Sequence, residues 1–402
     1  MMLAKITLKP NKERPLLRRH PWVYATAVDR VDGKVYPGCT ISIFSSEGQF
    51  IAKGSYSPRS QIRARALSWD ESEVIDHAFF KRKIAKALAL RQQWVNDTNA
   101  VRLIFGESDG LPGLIVDQYD QTLVCQFLFA GMEYWKDAIV AALKQLVPCV
   151  RIVERSDAAV RVREGLEPQV GCLEGDMPAE PVQVIECGVK YTVDVLEGHK
   201  TGFYIDQRDN RHLLASLAQG KTVLNMFCYT GGFSLAALRG GASHVTSVDS
   251  SGDALAMAKK QMDLNGFEPS RAEWIDEDAF AVLTRFRKEG RKFDVVVLDP
   301  PKFAPSASHL DKAVRAYKEI NRAGMQLLNP NGLLLTFSCS GAMDAALFEK
   351  VIANAATEAM THSGDKTMDF RLVKRLSSGF DHPLLVSFPE GDYLKGIMLQ
   401  RI

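Results

Sequence analysis

The sequence predicts an α/β protein: a C-terminal doubly wound, mostly parallel sheet, preceded by a central α+β segment and a small N-terminal β-barrel. Three observations predict it. From about residue 182, apolar strand-like runs alternate with helical stretches, the order that builds a parallel sheet covered on both faces. Before residue 70, apolar residues alternate singly between Gly and Ser turns, as short antiparallel strands do. The 402 residues also exceed one ordinary core, so two or three domains are expected at roughly 150 residues each. The changes of pattern place boundaries at 1–72, 73–181 and 182–402.

In the first segment Thr40-Ile-Ser-Ile-Phe44, Gln49-Phe-Ile-Ala-Lys53 and Gln61-Ile-Arg-Ala-Arg-Ala-Leu67 read as strands. Lysine and arginine outnumber acids there although the whole chain carries only +2, which suggests either a phosphate-contacting surface or plain solubilising charge. The central segment reads as a helix over 75–95, a turn-rich loop Gly106-Glu-Ser-Asp-Gly-Leu-Pro-Gly113, strands at 114–117 and 122–127, a helix near 135–146 and a strand at 150–154. Residues 165–181 read as a turn-rich connection. Beyond them come strands at 182–187 and 190–194 and a helix near 207–217. Strands at 222–227, 244–249, 272–276, 293–298 and 333–338 then alternate with helices at 232–239, 252–265, 278–288, 311–328 and 344–359.

Apolar residues at 46% and charged residues at 24% are ordinary for a globular chain. No run approaches the roughly 18–20 apolar residues of a membrane span, and the basic first 19 residues lack the apolar core of a secretory signal. Seven scattered cysteines form no CxxC pair, so neither disulfides nor a metal site is expected, and a reducing cytoplasm suits them.

In a doubly wound sheet, ligands sit beyond the carboxyl ends of the strands. The first strand ends in Leu224-Asn-Met-Phe-Cys-Tyr-Thr-Gly-Gly-Phe233, which makes Asn225, Phe227, Thr230, Gly231 and Gly232 candidate cofactor contacts beside a helix N-terminus. The second delivers Asp249 and Ser250, where a carboxylate can accept from both hydroxyls of a ribose. The turn lacks GxGxxG, which disfavours a dinucleotide. Asp278 after the third strand is either an adenine contact or a helix N-cap, roles that can coexist. The fourth strand leads into Asp299-Pro-Pro-Lys-Phe303, a stiff loop in which Asp299, Pro300, Lys302 and Phe303 could hold a planar base by an acid, backbone carbonyls and a phenyl face. The fifth ends at Cys339, either an inert strand-end thiol or a nucleophile beside that loop.

At these residues the chain resembles class I methyltransferases: Thr230-Gly-Gly-Phe233, Val248-Asp249, Asp299-Pro-Pro-Lys-Phe303 and Ser338-Cys-Ser-Gly341 occur in the expected order. Leu16-Leu-Arg-Arg-His-Pro-Trp-Val23, Ser60-Gln-Ile-Arg-Ala-Arg65, Gly106–Gly113, Arg155-Ser-Asp157, Gly198-His-Lys-Thr-Gly202 and Asp206-Gln-Arg-Asp209 extend the likeness nearly end to end. Together they resemble the bacterial ribosomal RNA large subunit methyltransferase I family. The resemblance implies an N-terminal PUA domain, a central α+β domain and a Rossmann-like class I methyltransferase domain using S-adenosyl-L-methionine. It also implies methylation of carbon 5 of one cytosine in 23S rRNA, or in its large-subunit precursor. Cys339 would attack C6 and Asp299 would hold the N3 edge. A homodimer is compatible with this reading, and no membrane is involved.

One departure stands out. RNA cytosine methyltransferases of the better-known kind carry a second cysteine in the Asp-Pro loop for product release, and Asp299-Pro-Pro-Lys302 has none. The same loop resembles those of N-methyltransferases acting on guanine N2 or adenine N6, which need no cysteine. A non-catalytic ribosome-assembly factor that kept the fold is a further alternative. Arg18, Arg19, Arg63 and Arg65 are the candidate phosphate contacts, and His199–Tyr204 could close over cofactor or RNA.

Overall fold

The computed structural model describes residues 4–304, 309–365 and 367–402, and the chain forms two compact units. The first comprises the chain through Ile185 with Thr192–Ile205 and Phe380–Gly391; the second comprises Glu186–Tyr191, Asp206–Gly379 and Asp392–Ile402.

The first unit holds two sheets. One has six strands in the order Trp22–Tyr24, Ile62–Ser68, Phe50–Tyr56, Thr40–Phe44, Ala4–Leu8 and Val28–Asp32. The alternation in Thr40–Phe44 turns Ile41 and Ile43 inward onto Ile6, Leu8 and Val23, while its polar positions face outward. The other has five strands in the order Gln169–Glu174, Arg151–Ser156, Thr122–Phe127, Leu114–Tyr119 and Ala100–Phe105. Helix His77–Trp94 buries Phe79, Phe80 and Ile84 in the same core as Leu114 and Val116, and starts where the Asp76 carboxylate accepts the Phe79 N–H at 2.9 Å. Residues 165–181, expected as a turn-rich connection, contain strand Gln169–Glu174, paired antiparallel with Arg151–Ser156. Neither of its faces is fully buried, so it has no apolar period to read.

The second unit is a seven-stranded sheet in the order Ala272–Asp276, His244–Asp249, Thr222–Met226, Phe293–Leu298, Leu328–Ser338, Lys395–Arg401 and Phe370–Leu376. The first five strands run parallel. Val295–Leu298 are fully buried between helices, which is why that strand reads as a continuous apolar run. Helices Ala279–Glu289, Leu310–Gln326 and Ala345–Ser363 contribute Leu283, Tyr317 and Phe348 to a core shared with Leu224 and Val296. The last two strands are antiparallel additions that the alternation does not predict. Phe370–Leu376 is an edge strand with most of its side chains in solvent. Gly396 is obligatory beside it: a Cβ there would lie 2.6 Å from the Phe337 ring.

Candidate active site

The parallel register places all the candidate loops at one end of the sheet. Leu298 stands opposite Thr336, so Asp299 and Cys339 each follow a neighbouring strand end by one to three residues. On the other side, Met226 stands opposite Val248, which aligns the Phe227–Gly231 turn with Asp249.

That turn is held in an unusual backbone shape. Phe227 and Tyr229 have φ of +59° and +49°, and Gly231 has +83°. Two non-glycine residues in the left-handed region store strain of order 1–3 kcal/mol each, sustained by surrounding bonds. The Asp249 carboxylate supplies one, accepting the Tyr229 N–H at 2.7 Å, while its other oxygen accepts the Ser251 N–H at 3.0 Å. Helix Gly232–Arg239 then begins at Gly231 with no side-chain cap, leaving its first-turn N–H groups for an anionic ligand. A Cβ at Gly231 would lie 3.0 Å from Ala258 Cβ and 3.2 Å from the Trp274 ring. Thr230, half-buried, holds helix Gly252–Leu264 through its carbonyl, which accepts from Gln261 Nε2 at 3.2 Å. Ser250 is exposed at the rim. The Asp278 carboxylate caps helix Ala279–Glu289, accepting the Ala281 N–H at 3.0 Å, and stays exposed.

Asn225 lies deeper than the other candidates. It is 1% exposed, and its amide donates to Ser234 Oγ at 2.8 Å, which in turn pairs with Ser247 Oγ at 2.8 Å. Its position one residue before the strand end turns it inward, where its N–H ties strand to helix and its Oδ1 is left without a partner.

Around Asp299 the site is built from residues far away in sequence. Gln207 Nε2 donates to Asp299 Oδ2 at 3.0 Å; Asn210 Nδ2 donates to Gln207 Oε1 at 2.6 Å and to the Ser377 carbonyl at 3.0 Å. This amide relay fixes the carboxylate's rotamer. Only the Asp206-Gln-Arg-Asp209 motif signalled it beforehand, and Asn210 carried no signal. Pro300 is buried and Lys302 exposed. Phe303 is half-buried among Tyr317, Phe280 and Phe227, with ring centroids at 4.9, 6.3 and 6.4 Å.

Cys339 is half-exposed between Ser338 and Ser340, both fully buried. Burial pushes the Tyr317 phenol up to about 12, with the negative charges of Cys339 and Asp299 adding to it. Cys228 differs: burial, then Asp249, raises its thiol well above the usual range, which makes it packing and not a nucleophile.

In the first unit Arg18 and Arg19 are exposed, and the Arg19 guanidinium lies 5.2 Å from the Trp69 ring centroid. Arg63 is half-buried, with its guanidinium on the Pro58 carbonyl. Arg65 is a correction. It is 5% exposed, its Nη atoms donate to both Glu164 oxygens at 2.8 and 3.1 Å, and it covers the Phe129 ring at 4.4 Å. A guanidinium so engaged has no face for a phosphate. The centre of His199–Tyr204 is likewise anchored: Thr201, fully buried, donates to Asp117 Oδ2 at 2.5 Å and meets Tyr119 Oη at 2.8 Å.

This sheet order, with an uncapped helix N-terminus beside an acid at the second strand end, defines a class I S-adenosylmethionine-dependent methyltransferase. The family model for S-adenosylmethionine-dependent methyltransferases matches residues 120–372, and a PUA-like domain model matches residues 6–69. Among solved structures, a methyltransferase complexed with SAH aligns with a TM-score of 0.84 at 23% identity, covering 99% of this chain and 100% of that one. A chain from Streptococcus mutans assigned as a SAM-dependent methyltransferase gives 0.82 at 22% identity, covering 99% and 100%. Full-length relatives are much nearer in sequence. The ribosomal RNA large subunit methyltransferase I of Aliivibrio fischeri is 48% identical, covering 98% of both chains. Its namesake in Pseudoalteromonas translucida is 47% identical over 99% of both. The chain belongs to the ribosomal RNA large subunit methyltransferase I family.

Proposed function

We propose that this protein methylates carbon 5 of a cytosine in 23S rRNA through a covalent adduct on Cys339. The observation that supports this reading best is the parallel pairing of Phe293–Leu298 with Leu328–Ser338, which sets a half-exposed thiol beside a proline-stiffened acid at one sheet end. The rRNA substrate follows from the relatives' names and the PUA-like segment.

S-adenosylmethionine, when bound, supplies an electrophilic methyl group. The uncapped first turn of helix Gly232–Arg239 would receive its carboxylate, and the Thr230–Gly231 turn its amino-acid moiety. Asp249 and Ser250 would take the ribose, and Phe227 and Asp278 the adenine. Each oxygen of Asp249 already accepts one backbone N–H, and each retains a second lone-pair direction for a hydroxyl.

The target base has to leave its stack, at a cost of a few kcal/mol if it starts paired. Phe303 offers a ring face to it, and Lys302 a charge to the adjacent phosphate. Cytosine C5 is a poor nucleophile. The Cys339 thiolate forms an S–C6 bond, the C5–C6 π pair becomes available at C5, and N3 takes a proton that Asp299 relays from solvent. After C5 carries the methyl group, a base removes the C5 proton, the C5–C6 double bond re-forms, the thiolate leaves, and N3 returns its proton through Asp299 to solvent. Arg18 and Arg19 would grip the RNA backbone through exposed guanidinium groups, and Arg63, half-buried on the Pro58 carbonyl, would add its remaining N–H groups.

The test incubates the protein with labelled S-adenosylmethionine and unmodified large-subunit RNA and identifies the modified nucleoside. We expect 5-methylcytidine, and a loss of about a thousandfold or more in Cys339→Ala. A fully active Cys339→Ala protein that yields an N-methylated nucleoside would establish exocyclic-amine chemistry instead. The cysteine-free Asp299–Lys302 loop accommodates that second reading.

A further inference from the structure

A lysine nearly removed from water has to place its ammonium on acceptors, because burial penalises the charged form. Lys395 is 7% exposed and stands opposite Ser338 in the antiparallel ladder. Its Nζ donates to the Ser340 carbonyl at 3.0 Å and to the Tyr393 carbonyl at 2.9 Å. The Ser340 carbonyl also accepts the Met343 N–H at 3.1 Å. The Ser340 hydroxyl accepts the Ala304 N–H at 3.3 Å and meets Tyr317 Oη at 3.2 Å, and the Ser340 N–H donates to Ser338 Oγ at 3.3 Å. Both flanks of Cys339 are thus pinned, while its own side chain stays partly exposed. Burial lowers the proton affinity of the Lys395 amine; Asp392, Cys339 and Asp344 pull it back up, and Lys302 opposes them. Attraction between two titrating groups is mutual, so a thiolate that favours the ammonium is itself favoured by it.

We propose that Lys395 is a positioning residue for the nucleophile: its ammonium clamps the Ser338–Ser340 turn so that the Cys339 side chain is presented, and its charge draws the thiol toward the thiolate. This rests on the covalent reading above. Tyr317 on helix Leu310–Gln326 is acted on by both Cys339 and Asp299, and Lys395 by Asp392, Cys339 and Asp344, with Lys302 opposing them. Lys302 is exposed and screened by water, whereas Lys395 is a cation that the fold holds in place.

The experiment alkylates the full chain with iodoacetamide from about pH 6 to pH 10 and follows the Cys339 peptide by mass spectrometry. In the natural protein the labelling midpoint is expected below the ordinary thiol value of about 8.5. In Lys395→Met it should rise by about one unit, making labelling near neutral pH about tenfold slower, and Lys395→Arg should restore it. A natural midpoint at or above about 8.5, or the same profile in Lys395→Met, overturns the proposal; the first criterion holds even if the Met variant does not fold. The two readings fail separately. An active Cys339→Ala protein sinks the covalent route and leaves the charge coupling intact, whereas an unshifted profile with inactive Cys339→Ala sinks the lysine alone.

Discussion

Arginines two residues apart in sequence can have opposite fates. Arg63 and Arg65 look alike in Ser60-Gln-Ile-Arg-Ala-Arg65, yet Arg65 is sealed against Glu164 and Phe129. Arg65→Ala leaves a buried carboxylate without its partner, and we expect a loss of about 3–5 kcal/mol in denaturant unfolding. Arg18→Ala and Arg19→Ala should stay within about 0.5 kcal/mol of the natural protein and weaken RNA binding instead. Their salt-dependence slope should drop by about one per lost phosphate contact. If Arg65→Ala folds as stably as the natural protein, the ion pair contributes nothing to stability. The sequence pattern could not separate these residues, because the partner that buries Arg65 comes from a helix about a hundred residues downstream.

Elements differ in how openly they declare themselves. Strands buried on both faces, such as Phe293–Leu298, and helices with clear caps, such as Ala279–Glu289, were legible almost to the residue. The edge strand Phe370–Leu376 was not, since most of its side chains meet solvent and leave no apolar period. The site divides along the same line. Asp299, Asp249 and Cys339 each mark the end of a legible strand, whereas Gln207, Asn210 and Lys395 act through contacts that no local pattern contains. At this scale two substitutions are informative. Gly231→Ala forces a Cβ into a left-handed position 3.0 Å from Ala258, and should cost of order 1–3 kcal/mol and weaken S-adenosylmethionine binding by calorimetry. Asp278→Ala should cost about 1 kcal/mol of helix stability, and Asp278→Ser should recover most of it. Should the Ser variant regain stability but not cofactor affinity, the carboxylate has a second role beyond the cap; full recovery of both would leave it a cap only.

On the scale of the molecule, exposed cations in the N-terminal segment and a net charge of only +2 together suit a protein that meets a polyanion on one region without being drawn to it everywhere. RNA affinity should therefore fall steeply with salt in filter-binding titrations, while cofactor affinity, which depends on backbone donors and a half-buried acid, should change little. The sheet order has a consequence for how the chain is made. Residues 395–401 are inserted between Leu328–Ser338 and Phe370–Leu376, both of which are synthesised earlier. Until that segment leaves the ribosome, the nascent strand bearing the serine–cysteine turn has an open hydrogen-bonding edge, and the ammonium that would hold the turn does not yet exist. In a chain assembled in this order the serine–cysteine turn would gain its clamp only after the strands on both sides of that segment have been made, and until then the open edge would be exposed to pairing with other chains.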